Sequence, residues 1–122
     1  RMLGTDVPSV MQDRFTTLRS LSERFNSYVV LKGAGSLMGD SVGIKICTDG
    51  NPGMASAGMG DVLTGISASF MAQHLQALPK HLHQVISGAV CLHSAAADEG
   101  AKQGQSSLLA SDLLVELRQL LN

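Results

Sequence analysis

Between Asn51 and Gly65 the chain reads N-P-G-M-A-S-A-G-M-G-D-V-L-T-G, a turn followed by a loop almost without bulk and then by an apolar helix. Gly53, Ala55, Ser56, Ala57, Gly58 and Gly60 let the backbone approach a ligand closely, and a helix beginning near Gly58 aims unpaired N–H groups at it. Such a helix end suits an anion, above all a phosphate. Asp61 follows in the first helical turn. A carboxylate there is stabilised by the helix dipole, which would explain it without any chemistry. Beside a loop that holds a phosphate it is also placed to act as a general base.

The remaining composition bounds what can surround this run. A chain of 122 residues with 44% hydrophobic content can bury a core. A formal net charge of −1 and the absence of a basic cluster give no electrostatic footprint for nucleic acid or an anionic membrane, so neither is expected as a partner. Aromatic residues make up 3% and there are 13 glycines, so packing of small residues is expected to replace large rings in the interior. Cys47 and Cys91 stand far apart in sequence, with no C-x-x-C pair and no His at ligand spacing, so no disulfide framework, zinc site or other metal site is expected. No leader sequence and no run of about twenty apolar residues is visible, which makes the cytoplasm the default compartment. The opening Arg1-Met2-Leu3-Gly4 has the manner of an interior segment, so the chain is expected to be part of a longer protein.

Along the chain, Thr5 and Asp6 are good caps and Pro8 is tolerated in a first turn, while Val10, Phe15, Leu18, Leu21 and Phe25 recur at near-helical spacing. One amphipathic helix over residues 7–26 is expected, with Arg14, Arg19, Glu23 and Arg24 on its wet face. Tyr28-Val29-Val30-Leu31 then suits a short buried parallel strand. It leads into Lys32-Gly33-Ala34-Gly35-Ser36, where open α/β sheets place ligand loops, although a lone G-x-G is also an ordinary turn. Ser36–Met38 and Val42–Thr48 read as a hairpin joined at Gly39-Asp40-Ser41, with Ile44 and Ile46 alternating against Lys45. Asp49 to Gly53 is the densest turn cluster.

Past the loop, Met59, Leu63, Ile66 and Phe70 form one helical stripe. Ala77-Leu78-Pro79 breaks that helix, and Leu82, Ile86, Ala89, His93 and Ala97 begin a second, largely buried one. His93 on this stripe reads as a packed or hydrogen-bonded core histidine. Gly100 and Gly104 are expected to end the helix. Ser111 and Asp112 then start a last helix whose inner face is Leu113, Leu114, Leu117, Leu120 and Leu121. No linker or repeat divides the chain, which reads as one module.

The run N-P-G-M-A-S-A-G-M-G-D-V-L-T-G, together with V-V-L-K-G-A-G-S and the final L-L-A-S-D-L-L, resembles ribokinase-like enzymes, and among them ADP-dependent NAD(P)H-hydrate dehydratase. The resemblance covers residues 1–122 and only the C-terminal part of that family's domain. It implies an α/β class, the C-terminal portion of a ribokinase-like α/β/α layered fold with short strands flanked by helices. The implied reaction is ADP-dependent dehydration of (6S)-NAD(P)H hydrate to NAD(P)H, releasing AMP and phosphate. Phosphorylation turns the hydroxyl into a leaving group, and elimination restores the double bond.

Carried over, Asp61 is the catalytic base and, with Asn51, meets the substrate. Lys32, Gly33, Ala34, Gly35, Ser36, Gly58 and Gly60 line the nucleotide site. ADP is the co-substrate and Mg²⁺ its charge partner, with no metal ligands visible in these residues. A homo-oligomer is expected, as is an epimerase domain elsewhere in the same polypeptide; the isolated segment is expected to be inactive. An ATP-using alcohol or vitamin-precursor kinase of the same superfamily would use the same loop and Asp. A non-catalytic nucleotide-binding fragment is the other alternative.

Overall fold

The computed structural model describes residues 2–76 and 78–122; the expectations placed on Arg1 and Ala77 lie outside the described residues. Two compact units are present within what the sequence reads as one module, residues 1–46 and 47–122.

In the first unit the expected single helix is two, α1 (Val7–Gln12) and α2 (Arg14–Phe25). Asp6 caps α1 by accepting from the Ser9 N–H at 2.9 Å, as its position suggests. The break comes from Asp13, whose backbone leaves the helical region at φ −141° and whose carboxylate accepts from both the N–H and the hydroxyl of Thr16. A side chain that satisfies the open donors of a new first turn favours restarting the helix over continuing it. The buried stripe is correspondingly narrow. Leu18 and Ser22 are buried, whereas Phe15 and Phe25, expected inside, are exposed. Asn26, at φ 45°, ends α2 in the left-handed conformation that Asn tolerates.

Strands β1 (Val29–Leu31), β2 (Ser36–Gly39) and β3 (Ile44–Cys47) follow in sheet order β1-β2-β3. Among the described residues β1 is not a parallel strand. It pairs antiparallel with β2, Val30 opposite Met38, because the four-residue connection after Leu31 reverses the chain and cannot form a crossover. The predicted hairpin at Gly39-Asp40-Ser41 is present, and Asp40 Oδ1 accepts from the N–H groups of Val42 and Gly43. The alternation expected in β3 is not: Ile46 is 50% exposed and only Cys47 is buried. Helix α2 packs against β1 and β2, and Leu37 and Met38 of β2 are buried.

The second unit is helical. A 3-10 turn at Pro52–Ala55 precedes α3 (Met59–Gln73), α4 (Leu78–Gly104) and α5 (Asp112–Leu120), with α3 and α5 both packed on α4. The core joins Met59, Ala96, Ala97, Leu108, Leu113 and Leu117, so small residues on α4 admit its neighbours closely, as the composition suggested.

Gly100 does not end α4, which continues to Gly104. A Cβ on Gly100 would stand 2.8 Å from Leu108 Cδ1, so this glycine makes room for packing. Ser111 supplies no cap; Asp112 reaches back instead to accept from the Leu109 N–H at 2.8 Å. The inner face of α5 is Leu113, Glu116 and Leu117, while Leu114, Leu120 and Leu121 are exposed. Among the described residues no helix is long and apolar enough to cross a membrane.

Candidate active site

Gly58 begins α3 at φ 85°, a conformation natural to glycine, and no side chain caps the helix that follows. The first helical bond runs from Val62 N–H to Gly58 C=O at 3.0 Å, so the N–H groups of the preceding residues have no acceptor within the helix. Asp61 stands in this first turn, exposed, where the N–H dipoles favour a negative charge. The predicted stripe is present: Met59 and Leu63 are buried and Ile66 and Phe70 half-buried, which fixes the rotation of α3 and therefore the direction of Asp61.

The loop ahead of α3 is held from two sides. Asn51 Oδ1 accepts from the Gly53 N–H at 3.0 Å, and its Nδ2 donates to Ala97 C=O at 3.1 Å and Asp98 Oδ1 at 2.8 Å. Asp98 Oδ2 accepts from the Gly50 N–H at 2.8 Å. The amide of Asn51, expected to meet substrate, is thus engaged on both sides within the protein. Ser56 Oγ lies 2.8 Å from Leu108 C=O and 2.9 Å from Gly53 C=O, tying the other flank. Gly53 is required by closeness, since a Cβ there would come within 2.4 Å of the Gln105 carbonyl oxygen.

His93 is buried, with 4% exposure, and its Nε2 lies 2.9 Å from Met59 C=O. A carbonyl only accepts, so Nε2 carries the proton and donates. His93 is the hydrogen-bonded core histidine expected, and its bond falls on the first residue of α3. It therefore holds the helix end that Asp61 occupies.

In the first unit, Lys32 to Gly35 form the connection between β1 and β2, with Gly35 at φ 67°, and Ser36 opens β2. Arg14, assigned by sequence to the wet face of its helix, turns onto this segment instead. Its Nη2 donates to Leu31 C=O at 3.0 Å and its Nη1 to Ala34 C=O at 2.8 Å. Ser36 Oγ is 3.4 Å from Gly33 C=O, and Lys32 is exposed.

Sequence reasoning singled out neither Asp98 nor Arg14 as supports of these loops. Asp98 lies 48 residues from Gly50, and Arg14 lies 17 and 20 residues from the carbonyls it holds, so no local spacing signals either pairing. Cys47 and Cys91, dismissed on their sequence separation, come together in the second unit. Their sulfurs and an Asp49 carboxylate oxygen all lie within 4.8 Å of one another.

The family model for NAD(P)H-hydrate dehydratase matches residues 1–119. The chain is 52% identical, over its whole length, to a bifunctional NAD(P)H-hydrate repair enzyme of Vibrio cholerae, of which it covers 24%. It is 35% identical to the ADP-dependent (S)-NAD(P)H-hydrate dehydratase of Neisseria meningitidis, again over its whole length, and covers 40% of that protein. Among solved structures, the ADP/ATP-dependent NAD(P)H-hydrate dehydratase of Bacillus subtilis, co-crystallised with ATP and Mg²⁺, superposes with a TM-score of 0.87 at 27% identity, over 99% of this chain and 43% of that one. The chain thus spans from about a quarter to less than half the length of the relatives it matches. The fold is the α/β, ribokinase-like one that the resemblance led us to expect. With a match along almost its entire length, this chain belongs to the NAD(P)H-hydrate dehydratase family.

Proposed function

We propose that these residues supply the catalytic carboxylate and nucleotide loops of an ADP-dependent NAD(P)H-hydrate dehydratase, a hydro-lyase that repairs nicotinamide nucleotides. The observation that carries the reading is Asp61, exposed in the first turn of a helix whose N-terminus no side chain caps. Asp61 takes the proton from the hydrate's hydroxyl as its oxygen attacks the terminal phosphorus of ADP, and the bond to AMP breaks. The N–H groups around Gly58 and Gly60 stabilise the negative charge of the phosphoryl group in flight. Phosphate then leaves as the ring regains its double bond. Lys32, Gly33, Ala34, Gly35 and Ser36 bind the nucleotide by close backbone approach. Asn51 acts at the substrate through the loop it shapes.

Mg²⁺ requires oxygen ligands and is ordinarily bound by one or two carboxylates together with substrate phosphates. The one group of candidate ligand side chains found among the described residues contains two thiols, which do not suit it. The described residues build no cage for Mg²⁺, which would supply charge neutralisation at the diphosphate. A cytoplasmic location, assembly into a homo-oligomer and an epimerase domain elsewhere in the polypeptide complete the proposal, the last supported by bifunctional relatives such as that of Vibrio cholerae.

The test is Asp61→Asn in the full-length enzyme, given ADP or ATP with NADH hydrate and followed by the absorbance of regenerated NADH. Loss of a positioned base lowers kcat by about 10²–10⁴-fold while ADP binding is kept or slightly tightened. A carboxylate that only complements the helix dipole would instead cost about 0.3–1 kcal/mol of stability and leave the rate intact. Turnover near wild type in the variant sinks the proposal. Accumulation of a phosphorylated product with ATP would identify a kinase instead.

A further inference from the structure

Cys47 closes β3 with 2% exposure, Asp49 lies exposed two residues later, and Cys91 is half-buried on α4; all three belong to the second unit. The two Sγ atoms and a carboxylate oxygen of Asp49 lie within 4.8 Å of one another. The turn already wraps the inner sulfur, since Cys47 Sγ is 3.9 Å from the Asp49 carbonyl oxygen. We propose that Cys47, Asp49 and Cys91 form a binding site for a thiophilic divalent cation of the Zn²⁺ class.

The geometry suits such an ion. Metal–sulfur bonds of about 2.3 Å and a metal–oxygen bond of about 2.0–2.2 Å in a tetrahedron place neighbouring ligand atoms roughly 3.5–3.8 Å apart. The ligand atoms, already within 4.8 Å of one another, need to close by little more than about 1 Å to reach those separations. Two thiolates select Zn²⁺ and its soft relatives over Mg²⁺ and Ca²⁺, which take oxygen ligands. The two thiols stand on a strand end and a long helix, and Asp49 lies in the irregular segment that follows the strand, so the sulfur pair is placed before the ion arrives. Burial falls from Cys47 through Cys91 to Asp49, which leaves the fourth position facing solvent for a water. Gly50, whose N–H is held by Asp98, directly follows Asp49, so an occupied site also anchors the chain as it enters the 51–58 loop.

The test uses full-length protein, reduced and stripped of metal with a chelator, then titrated with Co²⁺. A thiolate-to-Co²⁺ charge-transfer band should appear in proportion to bound ion, be displaced by Zn²⁺, and resist excess Mg²⁺. Cys91→Ser should lose the band. Asp49→Asn, at an exposed position and expected to keep its fold by circular dichroism, should weaken Co²⁺ binding by about 10–100-fold. Absence of the band in wild type, a band undiminished in Cys91→Ser, or Co²⁺ affinity unchanged in Asp49→Asn overturns the site. So does rapid closure of a Cys47–Cys91 disulfide in air that excess Zn²⁺ does not slow.

Discussion

Asp98 and Arg14 do similar work on the two loops, each holding backbone groups from a distant part of the chain. Asp98 accepts from Gly50 N–H and from the Asn51 amide, both at 2.8 Å. Replacing it with Ala leaves two donors without their acceptor and should cost about 2–3 kcal/mol, read as a lowered denaturant midpoint, together with a fall in kcat/KM. Asp98→Asn keeps one acceptor and should lose less. Arg14 grips the carbonyls of Leu31 and Ala34 with its two terminal nitrogens. A lysine cannot reproduce that fork, so Arg14→Lys should weaken ADP binding by about tenfold, equivalent to roughly 1.4 kcal/mol, with the fold retained. Calorimetric titration with ADP checks this. Neither residue was legible in the sequence, because a side chain's bond to a distant carbonyl leaves no periodicity. The glycines and Asp61 were legible because absence of bulk and the position of a charge at a helix start are local properties.

At the scale of elements, periodicity told α3 correctly, and the Asp40 turn was readable from its residue types. Asp13 was not, because an Asp inside an amphipathic run keeps the hydrophobic spacing while starting a new helix. Bonds from the N–H and then the hydroxyl of Thr16 hold the Asp13 carboxyl below the usual carboxylate range, and Ser9 does the same for Asp6. A depressed folded-state pKa stabilises above the unfolded value of about 3.9 and loses that contribution as pH falls through the folded value. Asp13→Asn should therefore flatten the acid-side loss of thermal stability below about pH 4 while keeping a cap, whereas Asp13→Ala lowers stability at neutral pH as well. Glycines in the signature run also divide by element. Gly53→Ala drives a Cβ to within 2.4 Å of the Gln105 carbonyl oxygen and should destabilise by about 1–3 kcal/mol. Gly65→Ala, mid-helix with nothing within 4 Å of the added Cβ, should stabilise by about 0.5–1 kcal/mol. Urea melts of the two variants should move in opposite directions.

For the whole molecule, the leucines of α5 show what patterning cannot decide. Leu114 and Leu121 continue an apolar run yet face outward, where they border a groove of about 320 Å³ with Val62, Ile66 and Phe70 of α3. Exposed apolar surface of this kind promotes association. The 122-residue polypeptide should run above its monomer mass in light scattering, and Leu114→Glu combined with Leu121→Glu should return it toward monomer. An unchanged mass would place the contact elsewhere. A different consequence follows from α4. His93 grips the start of α3, while the carbonyl of Ala97 and the carboxylate of Asp98 grip Asn51 and Gly50. Both ends of the loop are therefore fastened to about one turn of a single helix, and helical pitch, rather than the loop, sets its span. One residue inserted between His93 and Ala97 would swing one fastening about 100° away from the other. The spacing of the loop's two ends is thus a property of the helix beneath it, fixed by the phase of α4 between His93 and Asp98.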